Sequence, residues 1–149
     1  MSPSFELGEL NMGTGTRIQP YLFFNGRCEE ALEFYRQALN AEVTMAMHYR
    51  DSPDPAAAHN APDKVMHADF RIGETRIMAS DGRGGAPPHF EGFALTLNVA
   101  TEAEADGLFR GLADGGQVQM PLTKTFYSPK FGMVSDRFGI LWMIITVPQ

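Results

Sequence analysis

The apolar positions of this chain switch between two periods, and the order of the switches repeats. "RIQPYLFFNG", Arg17 to Gly26, has the aromatic density of a strand and closes on Asn-Gly. In the next stretch Ala31, Leu32, Phe34, Tyr35, Ala38 and Leu39 fall at helical spacing, with acids early and Arg36 late, which predicts an amphipathic helix over Cys28 to Leu39. Glu42 to Arg50 reads as a strand. Asp51 to Lys64, rich in Pro, Ala and Asp, reads as a loop. "VMHADFRIGETRIMASD" then predicts two strands around Gly73-Glu74.

Gly82 to Gly92 is the linker of highest Gly and Pro content. Beyond it the series starts again. "FALTLNV" is a strand. A helix opens on Thr101 with Glu104 three residues later and stops at Gly115-Gly116. Gln117 to Gln149 holds three strand-like runs. Strand, helix and three strands thus occur twice, an internal repeat of about 70 residues. Ala31, Tyr35 and Arg36 answer Ala105, Phe109 and Arg110, 74 residues on, and "GETRIMAS" answers "GILWMIIT" 66 residues on. The expected fold class is α+β. An arm spans residues 1–16 and reads as flexible. A first βαβββ module spans 17–81, a linker 82–92 and a second module 93–149, the two modules forming one structural unit.

Composition narrows the partners. The 149 residues are 44% apolar, enough for a core, and carry 12 basic against 18 acidic side chains, net −6. Without a basic cluster, no nucleic-acid or membrane partner is expected. The single cysteine, Cys28, allows no internal disulfide, which suggests a cytoplasmic protein. No run reaches the roughly 18 apolar residues of a membrane span.

Three stretches, "YLFFNGRCEEALEFY", "VMHADFRIGETRIMASD" and "FGMVSDRFGILW", resemble the PhnB-like branch of the vicinal oxygen chelate superfamily, which includes glyoxalase I and the extradiol dioxygenases. The resemblance covers Ile18 to Val147. It implies glyoxalase-like modules whose curved mixed sheets form a cleft, and it implies a homodimer. Some relatives carry a ubiquinone-methyltransferase label, yet no strand here runs into a Gly-rich turn of the methyl-donor type. Metal-dependent members hold a divalent ion on the first and last strand of each module. Carried onto this chain, those positions are Met143, the vicinity of Ile77, Gln19 or Pro20, and Ala94 or Thr96. Only Gln19 could ligate, so no metal or other cofactor is expected. His48, His59, His67 and His89 show no ligand spacing.

Candidate chemistry is therefore metal-free. His67, Asp81 and Tyr127 are the acid/base candidates. His67, Tyr127, Lys130, Phe131 and Trp142 are the candidate ligand-binding residues, since "TFYSPKFG" reads as a rim loop. Asp136 reads as a turn or cap residue, and Trp142 is also a core candidate. Cys28 sits at a predicted helix start, where the dipole could lower its pKa, but no His partner can be placed and it reads as an incidental cysteine. Seven methionines in or near the strands suggest an adaptable apolar site. These features lead to a small-molecule binding protein that uses the inter-module cleft. A lyase, isomerase or dioxygenase of the same superfamily is the alternative, and a purely structural dimer a third reading.

Overall fold

A computed structural model describes residues 15–54, 61–82 and 87–147. Most of the N-terminal arm, His59 and the centre of the linker lie outside the described residues. Among the described residues eight strands and two α-helices follow in the order the sequence predicts. The first module contains β1 (Tyr21–Phe23), α1 (Cys28–Leu39), β2 (Glu42–His48), β3 (Val65–Ile72) and β4 (Thr75–Ser80). The second contains β5 (Leu95–Val99), α2 (Glu102–Ala113), β6 (Gln117–Thr123), β7 (Phe131–Ser135) and β8 (Leu141–Thr146). Each module makes one four-stranded mixed sheet, β1-β4-β3-β2 and β5-β8-β7-β6. β1 runs parallel to β4, and β5 parallel to β8. No described helix is long and apolar enough to cross a membrane.

The first strand is shorter than its aromatic run. Pro20 precedes it and gives only its carbonyl, to Met78 N at 3.0 Å. Asn25 and Gly26 end it with φ of 48° and 109°, the left-handed region. α1 matches its predicted span and stops where Asn40 turns left-handed at φ 57°. α2 starts where Thr101 Oγ1 accepts the Glu104 amide at 3.1 Å.

The helices decide which sheet faces remain open. In sheet one the side chains of Leu22, Phe24, Ala68, Phe70, Ile77 and Ala79 are buried under α1. In sheet two Val134, Trp142 and Ile144 are buried under α2. The helices then pack on each other. Gly111 of α2 has no side chain, and a β-carbon there would come within 3.1 Å of Ala38 on α1. One core runs through both modules, with Tyr35 of α1 meeting Trp142 of β8 at a ring distance of 5.6 Å.

The space between the two sheets of one chain is therefore filled by helices. Among the described residues the faces that the helices leave uncovered are the outer ones.

Two aspartates tie the modules internally and to each other. Asp81, just past β4 and only 2% exposed, accepts the amides of Gly26 (2.6 Å) and Cys28 (2.9 Å) on Oδ1, and that of Val65 (2.9 Å) on Oδ2. It thus caps the start of α1, where Arg27 supplies no side-chain bond. Asp136, just past β7, accepts Phe138 N (2.9 Å) and Ile140 N (3.1 Å) on Oδ1, and Tyr35 Oη–H (2.5 Å) and Trp142 Nε1–H (2.9 Å) on Oδ2. The place of Asp81 in the second module is held by Thr146, whose buried hydroxyl has no partner among the described residues. Thr146→Val should therefore leave stability unchanged or raise it by about 1 kcal/mol, measured by urea unfolding. A fall of about that size would show that the hydroxyl is bonded.

Candidate functional site

Strand pairing lays the outer faces out in rows. Across sheet one a row reads Tyr21, Met78, Asp69, Met45. Across sheet two the matching row reads Thr96, Met143, Met133, Met120. Successive side chains alternate faces, so His67 joins Asp69 on the outer face opposite Met47, and Arg76 joins Met78.

The polar groups of sheet one form a connected line. Tyr21 Oη and His67 Nδ1 lie 2.7 Å apart, His67 Nε2 and Asp69 Oδ2 3.6 Å apart, and Arg76 and Asp69 Oδ2 3.9 Å apart. The carboxylate on the Nε2 side favours the tautomer that carries its proton there, leaving Nδ1 to accept from the tyrosine hydroxyl. Loss of water raises the Tyr21 pKa, with Tyr49 and the negative charge of Asp69 adding to it. The phenol therefore stays protonated at neutral pH and can donate. Around this line the face is apolar: Phe23 stacks on Tyr21 at 4.8 Å, and the methionines flank it.

The residues singled out from the sequence are spread over the molecule. His67 lies in the sheet-one line. Phe131 occupies the corresponding place on sheet two, opposite Ile145, with Tyr127 against it at 5.8 Å. Tyr127 and Lys130 line a surface groove of about 680 Å³, but the Lys130 ammonium turns to Asp106 of α2 at 2.7 Å. Trp142 is 1% exposed, in the shared core. Asp81 spends both carboxylate oxygens on backbone amides. Cys28 is wholly buried; burial first, then Asp81 and Glu29, pushes its thiol far above the ordinary range, so the helix start leaves it unactivated.

Sequence reasoning missed Tyr21, Asp69 and Arg76. Period-two alternation places Asp69 beside His67. Tyr21 and Arg76 needed the pairing register, because β1 joins β4 across more than fifty residues of chain.

The same register revises the metal positions. Ile77, taken from an offset of 66, lies buried under α1; the residue matching Met143 is Met78, an offset of 65. Its neighbour on the first strand is Tyr21, and that of Met143 is Thr96. A phenol, a hydroxyl and two thioethers do not fit a hard divalent ion. Among the described residues no three His, Cys, Asp or Glu side chains are grouped to hold one.

Two βαβββ modules with this order of strands define a glyoxalase-like, vicinal oxygen chelate fold. Residues 16–145 match the family model described as 3-demethylubiquinone-9 3-methyltransferase, and the chain belongs to that PhnB-like family. It is 33% identical to Protein YjdN of Escherichia coli over 141 residues, 89% of this chain and 96% of that protein. The crystal structure of protein PA1353 from Pseudomonas aeruginosa is similar at 43% identity and a TM-score of 0.80, covering 91% of this chain and 100% of that one. The PhnB protein of Bacillus cereus is similar at 29% identity and a TM-score of 0.75, covering 89% and 100%. A glyoxylase/bleomycin resistance protein/dioxygenase domain from Frankia, 15% identical with a TM-score of 0.64, covers 90% of this chain and 98% of its own and shares the fold.

Proposed function

We propose that this protein binds a small organic molecule between the outer face of sheet one of one protomer and the outer face of sheet two of its partner, in a cytoplasmic homodimer that uses no divalent metal. The observation that carries the reading is the position of the helices. They consume both inner faces within one chain, so a closed site needs a second chain. Phe23 (49% exposed), Met45 (39%) and Met120 (40%) leave the outer faces apolar and wet, which favours covering them. Methionines suit a cavity that adapts to its ligand. The family's methyltransferase label finds no support in the helix starts. The amides at the start of α1 are held by Asp81 and the first turn of α2 by Thr101, so neither is left to an anionic cofactor.

Light scattering on the eluting protein at micromolar concentration should give a dimer mass, and Met143→Glu should give a monomer. Elemental analysis of protein purified without chelator should find no stoichiometric Zn, Ni, Mn or Fe. A monomeric wild type, or one bound metal per chain, refutes the proposal. The Tyr21–His67 contact favours a second reading, an enzyme moving a proton in a lyase or isomerase reaction. Under that reading His67→Ala abolishes a turnover found by substrate screening and leaves the fold intact.

A further inference from the structure

The two outer faces are built on one plan, so their residues can be matched place by place. Aligning the sheets on Met78 and Met143 pairs Tyr21 with Thr96, Asp69 with Met133, His67 with Phe131 and Arg76 with Leu141. Every ionisable group of the sheet-one line faces an uncharged residue at the matching place in sheet two. We infer that the modules have divided the work: the face of sheet one is the polar half of a site for a small hydroxylated organic acid, and the face of sheet two has become its apolar wall. This rests on the proposal that the outer faces bind the ligand.

The ligand class follows from which hydrogen-bonding capacity is spent. The Tyr21 hydroxyl gives its hydrogen to His67 Nδ1, and its oxygen already takes a bond from the Ser80 hydroxyl, so the one remaining lone pair is what it offers a ligand, and it calls for an O–H donor. Arg76 has five N–H donors in a planar fork and one long contact, to Asp69 at 3.9 Å; a carboxylate is its natural complement. Arg71, the other cation on this face, is already paired with Glu42. Tyr21 sits beside Met78 on the neighbouring strand, and Arg76 is two residues along from Met78, which puts the Tyr21 and Arg76 backbones about 8 Å apart. The ligand thus carries a hydroxyl and a carboxylate at opposite ends of a flat apolar body about one ring wide. Phe23, Met45 and Met47 supply surface for that body.

The test uses two probes, 4-hydroxybenzoate and benzoate, titrated calorimetrically into the dimeric wild type, Tyr21→Phe and Arg76→Gln. Wild type should bind 4-hydroxybenzoate about 10-fold more tightly than benzoate. Tyr21→Phe should erase that ratio. Arg76→Gln should weaken both probes by about 10-fold and keep the ratio. Equal binding of the two probes, a ratio that survives Tyr21→Phe, or a dimer that binds neither probe overturns the inference. A second readout needs no ligand. The ¹⁵N shifts of His67 should show the Nε2–H tautomer in wild type, and Asp69→Asn should weaken that preference. A wild-type Nδ1–H tautomer overturns the polar half. Mass and metal content test the wider proposal separately, so the failure of one can be told from the failure of the other.

Discussion

Asp136→Ala is expected to lower the unfolding free energy by about 4 kcal/mol, a large part of the roughly 5–15 kcal/mol that holds a domain together. The carboxylate accepts from two amides, a phenol and an indole while 3% exposed, so its removal strands buried donors that no water reaches. Tyr35 lies 101 residues away in the first module, so the same bond clamps one module to the other. Asp136→Asn keeps the shape and one oxygen but turns an NH₂ toward the Trp142 N–H, and about half the cost should return. Tyr35→Phe should cost about 1–2 kcal/mol, and less once Asp136 is already Ala, because the two share one bond. Trp142, the only tryptophan, reports directly on this site, so urea unfolding followed by its fluorescence measures each variant. A loss under 1 kcal/mol for Asp136→Ala would mean that the network contributes little.

That network shows where reading the chain stops. The stretch from Phe131 to Trp142 marks the fold family, and a turn role for Asp136 follows from the Asp, Phe and Gly around it. Its bond to Tyr35 cannot be read locally, because nothing near either residue points to the other. Trp142 has the same history. Its type suits both a core and a ligand wall, and the side of β8 it occupies decides between them. The offset between modules slipped for a related reason. A shift of one residue changes the face of every side chain on a strand, so an offset of 66 chose buried Ile77 where the outer face carries Met78. The helices needed no such register. α1 and α2 each span 12 residues and lie 74 apart, as the side-chain echoes predict, since a helix is set by its own sequence and a sheet by its partners.

Asp81→Ala should cost about 3 kcal/mol, and the result separates two roles the sequence allows this residue. An acid or base works from a group that ligand or solvent can reach, and its replacement by Asn leaves stability nearly untouched. The structure points the other way. Both oxygens are occupied by the amides of Gly26, Cys28 and Val65, so the carboxylate fixes the first turn of α1 to the start of β3 and the end of β4. Alanine leaves three amides without acceptors. Asparagine keeps an acceptor for Gly26 and Cys28 but sets an NH₂ against the Val65 amide, so it should still cost about 2 kcal/mol. Faster amide hydrogen exchange across residues 26–32 should accompany both losses, because that turn has no cap from its own side chains. If Asp81→Asn instead unfolds at the wild-type urea midpoint and loses a measured turnover, Asp81 is catalytic and the helix cap is incidental. A lowered midpoint with unchanged ligand binding at low temperature assigns Asp81 to the scaffold and leaves Tyr21, His67 and Arg76 as the groups to probe for chemistry.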